Sequence, residues 1–185
     1  MACELTKGRG LDCKDIMGGV KNIYFVQHGD LDITYTAGTI SQIAGADGYS
    51  AGYYKYRIPR GQASMVETIN SSVENGTVFY EGAINLKLHK LTLNDRNEIK
   101  LLAQNRLIIF VELHQQTAGI NDIWAFGVVN GCELTAGTSN SGEAFGDMNG
   151  YDLTFTSQEV EPCLRLSAYT NAPFDNFTLT TVVSS

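Results

Sequence analysis

Asn75-Gly76 stands between two long runs of β-forming residues, and a chain carrying that arrangement is constrained to fold around an antiparallel hairpin. The runs are QASMVETINSSV, residues 62–73, and TVFYEGAINLKLHK, residues 77–90. Asn and Gly both tolerate positive φ, which predicts a type I′ turn at Asn75 and Gly76. In the second run Val78, Tyr80, Ile84, Leu86 and Leu88 share one face, while Glu81, Asn85, Lys87 and His89 share the other. That alternation is the pattern of a half-buried strand. At about 3.3 Å per residue the run spans about 45 Å, far beyond the usual five or six residues of a strand. Part of the hairpin is therefore expected to project past its own core.

Other segments read as strands too: 22–28, a hairpin within 31–43, 53–58 closed by Pro59, the buried run RLIIFVEL after Asn105, 123–129, and 150–159. In the last of these Tyr151, Leu153 and Phe155 point inward and Asp152, Thr154 and Thr156 outward; a weaker strand follows in FTLTTVV. One helix is predicted over 94–105, with Asn94 as its cap, Ile99, Leu102 and Ala103 on its apolar face, and Leu91 placed to staple the turn. Residues 44–52 and 130–149, rich in Gly, read as loops, the first a mobile one at the surface. Thr-Ala-Gly recurs at 36, 117 and 135 without matching flanks, which is turn composition and not a repeat. The expected fold is mainly β: a sandwich or barrel with a long hairpin and one flanking helix. It forms a single domain over 1–185, with an N-terminal arm at 1–21 and a C-terminal extension at 160–185.

A net charge of −7 argues against a surface that grips nucleic acid, because neutralising phosphates takes clustered Lys and Arg. No apolar signal core opens the sequence and no run of about 18 apolar residues crosses a membrane, so the chain is expected to be made and kept in a cytoplasm. Cys3, Cys13, Cys132 and Cys163 lack metal or redox spacings and read as free thiols, with a Cys3 to Cys13 bridge as the alternative. His28, His89 and His114 lie on predicted strands without a nucleophile in catalytic context, so no enzyme, cofactor or metal is expected. Asp30 and Asp32, and Glu143, Asp147, Asn149 and Asp152, offer oxygen ligands but follow no EF-hand spacing, and read as residues serving turns. Tyr49, Tyr53, Tyr54 and Tyr56 offer either a carbohydrate- or partner-binding surface or ordinary strand packing.

The segments SMVETINSSVENGTVFYEGAINLKLHKLTLNDRNEIKLLAQNR and GDMNGYDLTFTSQE, within residues 20–160, resemble tail tube and related virion ring proteins of tailed bacteriophages. The resemblance implies a virion structural protein, assembled in the host cytoplasm and resident in the tail. There it would form stacked homo-oligomeric rings, hexamers in that family, through which the genome passes without specific binding. Tape-measure, sheath or neck proteins would be its neighbours, and no membrane is involved. On that reading Glu67, Glu81 and Asn85 line the lumen, while Asn75, Gly76, Tyr49 and Tyr53 meet neighbouring subunits. A neck, portal-ring or capsid-associated protein is the nearest alternative, and a carbohydrate-binding β-sandwich is the alternative of a different class.

Overall fold

A strand with no polar side to turn toward water has to be covered twice, and the run Leu107 to Val111 is such a strand. The structure, a computed structural model, describes residues 8–10, 14, 16–46, 51–177 and 180–183. Its elements are β1 (Val20–Gln27), β2 (Leu31–Thr36), β3 (Thr39–Gly45), β4 (Ala51–Arg57), β5 (Ala63–Ser72), β6 (Thr77–His89), α1 (Leu93–Gln104), β7 (Leu107–Thr117), β8 (Ile120–Phe126), β9 (Cys132–Asn140), β10 (Gly150–Glu159), β11 (Leu164–Leu166) and β12 (Thr180–Val183). The fold is mainly β with one helix, like a sandwich or barrel.

The strands follow the order β2-β3-β11-β8-β7-β9-β10-β6-β5, and β1 also pairs with β7, carrying β4 and then β12 on its far side. β7 meets β9 only at Leu107 and Cys132, so the sheet folds over at that bridge and its two halves face each other. Ile23 and Phe25 of β1 join Leu107, Ile109 and Val111 of β7 in a first core against Ile84, Leu86, Leu153 and Phe155. Their alternate neighbours Tyr24, Val26, Ile108 and Phe110 enter a second core with Ile40, Ile43, Leu164, Leu166 and Phe174. Period-two side-chain alternation on two fully covered strands thus builds both cores at once.

The segment after Glu159 completes the second core and is not an extension appended to the fold. β11 inserts between β3 and β8. Phe174 stacks on Tyr53 at 4.1 Å and meets Tyr24 and Phe110 edge-on. Its left-handed φ of 69° is held by Asp175, whose carboxylate accepts the amides of Thr170, Asn171 and Ala172. Those amides hold the Asp175 carboxyl below its ordinary pKa.

Residues 132–140 form a strand where a loop was expected. CELTAGTSN carries few apolar side chains because one face is open to water, and Gly137 sits under Leu153, whose Cδ2 would lie 3.1 Å from an added Cβ. Pairing with β10, which intrinsic propensity does not register, makes it a strand.

The helix is capped by Thr92 and not by Asn94. The Thr92 hydroxyl accepts the Asp95 amide at 3.1 Å and donates to Asp95 Oδ2 at 2.6 Å, a reciprocal cap that starts the helix two residues early. With the cap there, the N4 position that a staple from Leu91 would need is held by Arg96, so there is no apolar staple. Leu102 is the helix's only buried residue; Ile99 is half-buried and Ala103 is exposed.

Two of the three Thr-Ala-Gly tripeptides make the tightest turns. Ala37-Gly38 and Ala118-Gly119 have positive φ at both positions, the signature of two-residue type I′ hairpins, whereas Ala136-Gly137 lies within β9. Ala at positive φ costs about 1 kcal/mol. Replacing Ala118 by Asn, which tolerates that conformation, should therefore stabilise the chain by about 0.5–1 kcal/mol in urea unfolding. Gly150→Ala is the opposite case: an added Cβ would lie 1.9 Å from the Leu88 carbonyl oxygen, and backbone cannot yield as a side chain can. A loss above about 3 kcal/mol is expected from the same measurement.

Candidate functional site

Register decides what the long hairpin can offer. β5 pairs with β6 from Ala63–Leu86 out to Ser72–Thr77, and β10 covers the other side of β6 only as far as Tyr80. Three further residue pairs and the loop therefore stand beyond the end of β10 as a two-stranded ribbon, about 10 Å of strand before the turn. The expected projection exists, although most of the hairpin lies in the sheet.

The tip differs from the expected turn. Ser72 and Thr77 close the hairpin, leaving Val73, Glu74, Asn75 and Gly76 as a four-residue loop. Only Gly76 in it has positive φ, at 62°, so this is not a type I′ turn; the Ser72 hydroxyl accepts the Asn75 amide at 3.3 Å. A longer loop lets Asn75 keep ordinary φ and leaves the single left-handed position to Gly76.

The hairpin has two chemically distinct faces. Ala63, Met65 and Glu67 oppose Leu86, Ile84 and Gly82 on the face turned to the first core. Farther out, that same face carries Ile69 and Val78 with nothing over them, 64% and 51% exposed, and Val73 in the loop is 96% exposed. The other face holds Ser64, Val66, Thr68 and Asn70 opposite Asn85, Ala83, Glu81 and Phe79, and continues across β10 through Asp152, Thr154 and Thr156. The Thr154 hydroxyl donates to Asn85 at 2.7 Å, Asn70 donates to Glu81 at 3.3 Å, and Lys87 pairs with Asp152 at 3.4 Å. β5 ends the strand order, so its outer edge has no strand partner among the described residues.

Glu81 and Asn85 thus share a solvent-facing polar sheet surface, and Glu67 does not. Directly opposite Gly82, Glu67 is on the core-facing side, where its carboxylate accepts the Cys163 amide at 2.5 Å. A strand register one residue out of phase with its neighbour explains this: Glu67 and Glu81 come to rest on opposite faces. Tyr53 is also not a surface residue. It is fully buried in the second core with its hydroxyl unpaired among the described residues, and that burial raises its pKa. Tyr56 packs edge-on against Phe25, which leaves Tyr54 as the exposed ring of the described tyrosines in that cluster. Tyr49 lies outside the described residues, as do the rest of 47–50 and Cys3 and Cys13, while residues 44–45 and 51–52 of the expected loop belong to the ends of β3 and β4.

Glu112 gave no functional signal in the sequence beyond being an acid in an apolar run. It is 1% exposed in the middle of β7. Its Oε2 accepts from Asn22 at 2.6 Å and Tyr24 at 2.9 Å, and Lys21 stands 2.9 Å from Oε1. With both oxygens engaged, this carboxylate ties the start of β1 to β7; a buried charge is tolerated only when paired in this way. The polar cleft beside it, about 290 Å³, is also lined by Lys55, Asn121 and Tyr169. The acids at 143–152 serve local structure: Asp147 accepts the amides of Glu143 and Ala144, and Asp152 pairs with Lys87. Among the described residues no three His, Cys, Asp or Glu are grouped to hold a metal ion, and no helix is long and apolar enough to cross a membrane.

No protein-family model, curated protein or solved structure matches this chain. A polar face, an open edge and an exposed apolar ribbon are features that contacts between chains use.

Glu67 also adds to the effect of burial on the Cys163 thiol. Burial first, then the Glu67 charge and hydrogen bond, push the Cys163 thiol up to about 12, and burial pushes Cys132 to about 12 as well. A thiol raised in the folded state stays protonated while its unfolded counterpart ionises above about pH 8.5. Folding stability is therefore whole below that pH and falls progressively as the pH climbs toward 12. Glu67→Gln should lower the Cys163 pKa and speed its alkylation by iodoacetamide at pH 9, read by peptide mass mapping. Unchanged alkylation would show that Glu67 does not act on the thiol.

Proposed function

We propose that this chain is a structural subunit that assembles with copies of itself into stacked rings, as in the tail tube of a tailed bacteriophage or a related virion ring. The observation that carries the reading is the hairpin: Val73 and Val78 are exposed on a ribbon that extends beyond the sheet and Ile69 is exposed at its base, along an edge of β5 that has no strand partner among the described residues. An open edge of that kind recruits another strand, and natural monomers normally blunt it with charge or proline. Residues 63–72 contain one charged residue, Glu67, and no proline. That residue faces the core side, so the edge carries no such guard.

The resemblance to tail tube proteins supports the finer part of the reading. In it, neighbouring hairpins join edge to edge around a channel and the polar face of β5, β6 and β10 lines the lumen. Ser64, Thr68, Asn70, Asn85, Thr154 and Thr156 would meet the passing genome. Lys87 on that face is paired with Asp152, while Glu81 has no basic partner among the described residues. Such a surface offers hydroxyls and amides with no uncompensated cation, so it gives phosphates no counter-charge to release and no reason to stop. Electrostatic repulsion from this face then rests on Glu81 and not on Glu67. Six-fold symmetry, neighbouring tail proteins and residence in the tail belong to the same proposal.

Negative-stain electron microscopy of the concentrated protein is the test, with rings or tubes expected. The double variant Ile69→Lys, Val78→Lys should fold, because both side chains are exposed, yet remain monomeric in analytical ultracentrifugation. Normal tubes from that variant would remove the hairpin from the assembly contact, and a wild-type chain that stays monomeric at high concentration would end the proposal.

A further inference from the structure

Three Asn-Gly dipeptides occur in the sequence, at 75, 130 and 149. The sequence treats them alike, and the tertiary structure separates them. In such a dipeptide the glycine nitrogen can attack the asparagine side-chain carbonyl carbon, because no Cβ on the glycine hinders the approach. The reaction requires a free side-chain amide and a backbone able to swing the nitrogen toward it.

Asn130 fails the first requirement: its amide donates to the Gln158 carbonyl at 2.7 Å, and its own N–H is held by Glu159 at 3.0 Å. At Gly150 the backbone fails the second. Gly150 is buried at the start of β10, paired with both His89 and Asn140, and so close to the Leu88 carbonyl that no Cβ would fit. At Asn75 neither restraint exists. Residue 76 has open space where a Cβ would stand, the loop is exposed, and no partner for the Asn75 side-chain amide is found among the described residues.

We propose that Asn75 is a site of spontaneous deamidation, and that its product regulates assembly through the hairpin tip; the second half rests on the function proposed above. The Gly76 nitrogen loses its proton and bonds to Asn75 Cγ, the Cγ–Nδ2 bond breaks, and the departing NH2 group takes up one proton, balancing the one lost, and leaves as ammonia. Water then opens the resulting succinimide at either carbonyl, giving aspartate or isoaspartate. Nothing is oxidised or reduced, and water is the only co-reactant. The product places a new carboxylate one residue from Glu74 on a loop where Val73 is almost wholly exposed. Tips that meet apolar or acidic surfaces on a neighbour would be repelled, and the isoaspartate form also lengthens the backbone of a four-residue loop.

The experiment incubates the purified full chain at pH 8.5 in ¹⁸O-labelled water and maps label uptake peptide by peptide. Conversion at Asn75 should outrun that at Asn130 and Asn149 by about tenfold or more, the factor set by a hydrogen bond that must first break. Asn75→Gln should abolish label at the tip. Equal rates at the three sites, or none at Asn75 while the isolated peptide converts, would overturn the modification. Asn75→Asp, which fixes the product, should assemble more weakly than wild type by sedimentation. Equal assembly by the two overturns the regulatory half, whereas a wild-type chain that never assembles marks the failure of the functional reading and leaves the chemistry standing.

Discussion

The double coverage of β1 and β7 is the constraint on which the other features depend. These paired strands send alternate side chains into two separate cores, so every other layer is positioned by reference to them. β6 and β10 must close one side, and β3, β11 and the segment around Phe174 must close the other. Hydrophobic burial on this scale sets the architecture, because leaving either face of Leu107 to Val111 in water would forfeit about 1.5–3 kcal/mol per side chain.

Polar anchors along the strands fix how the layers meet. Glu112, held by Asn22, Tyr24 and Lys21, pins β1 to β7. Asp122 is likewise buried and bound by Arg165 at 2.6 Å and Thr117 at 3.0 Å, which ties β11 to β8. Glu159 reaches the amides of Val129 and Asn130 and closes the loop between β8 and β9. Glu112 and Asp122 are acids that would be costly to bury alone and become specific fasteners once paired. The hairpin grows out of this fixed frame, and its rigid base is what allows an exposed tip to present defined chemistry.

Several parts of this arrangement were legible from residue order. The long hairpin, the buried run at 107–111, the alternation in 150–159 and the existence of one helix all rest on local periodicity, which the chain carries wherever it folds. β9 was illegible because its side chains are small and polar, and only its pairing with β10 makes it a strand. The cap at Thr92 lay two residues before the expected Asn94, since a reciprocal bond to Asp95 outweighs side-chain preference alone. The candidate surface was half legible: Glu81 and Asn85 follow from alternation within β6, whereas placing Glu67 required knowing which β6 residue stands opposite it. Tyr53 looked like one of a row of amphipathic rings, and nothing local announces that Phe174 returns from more than a hundred residues away to stack on it.

By itself, the sequence determined the β class, the hairpin and its two-faced second strand, because each depends on side-chain periods of two and on turn chemistry within a few residues. The tertiary structure alone decided which carboxylates share a face, that the C-terminal segment completes a core, and which of three identical Asn-Gly pairs stands unprotected. The reason is common to all three: register, burial and hydrogen-bond partnership are relations between residues distant in the chain, and no local pattern encodes them.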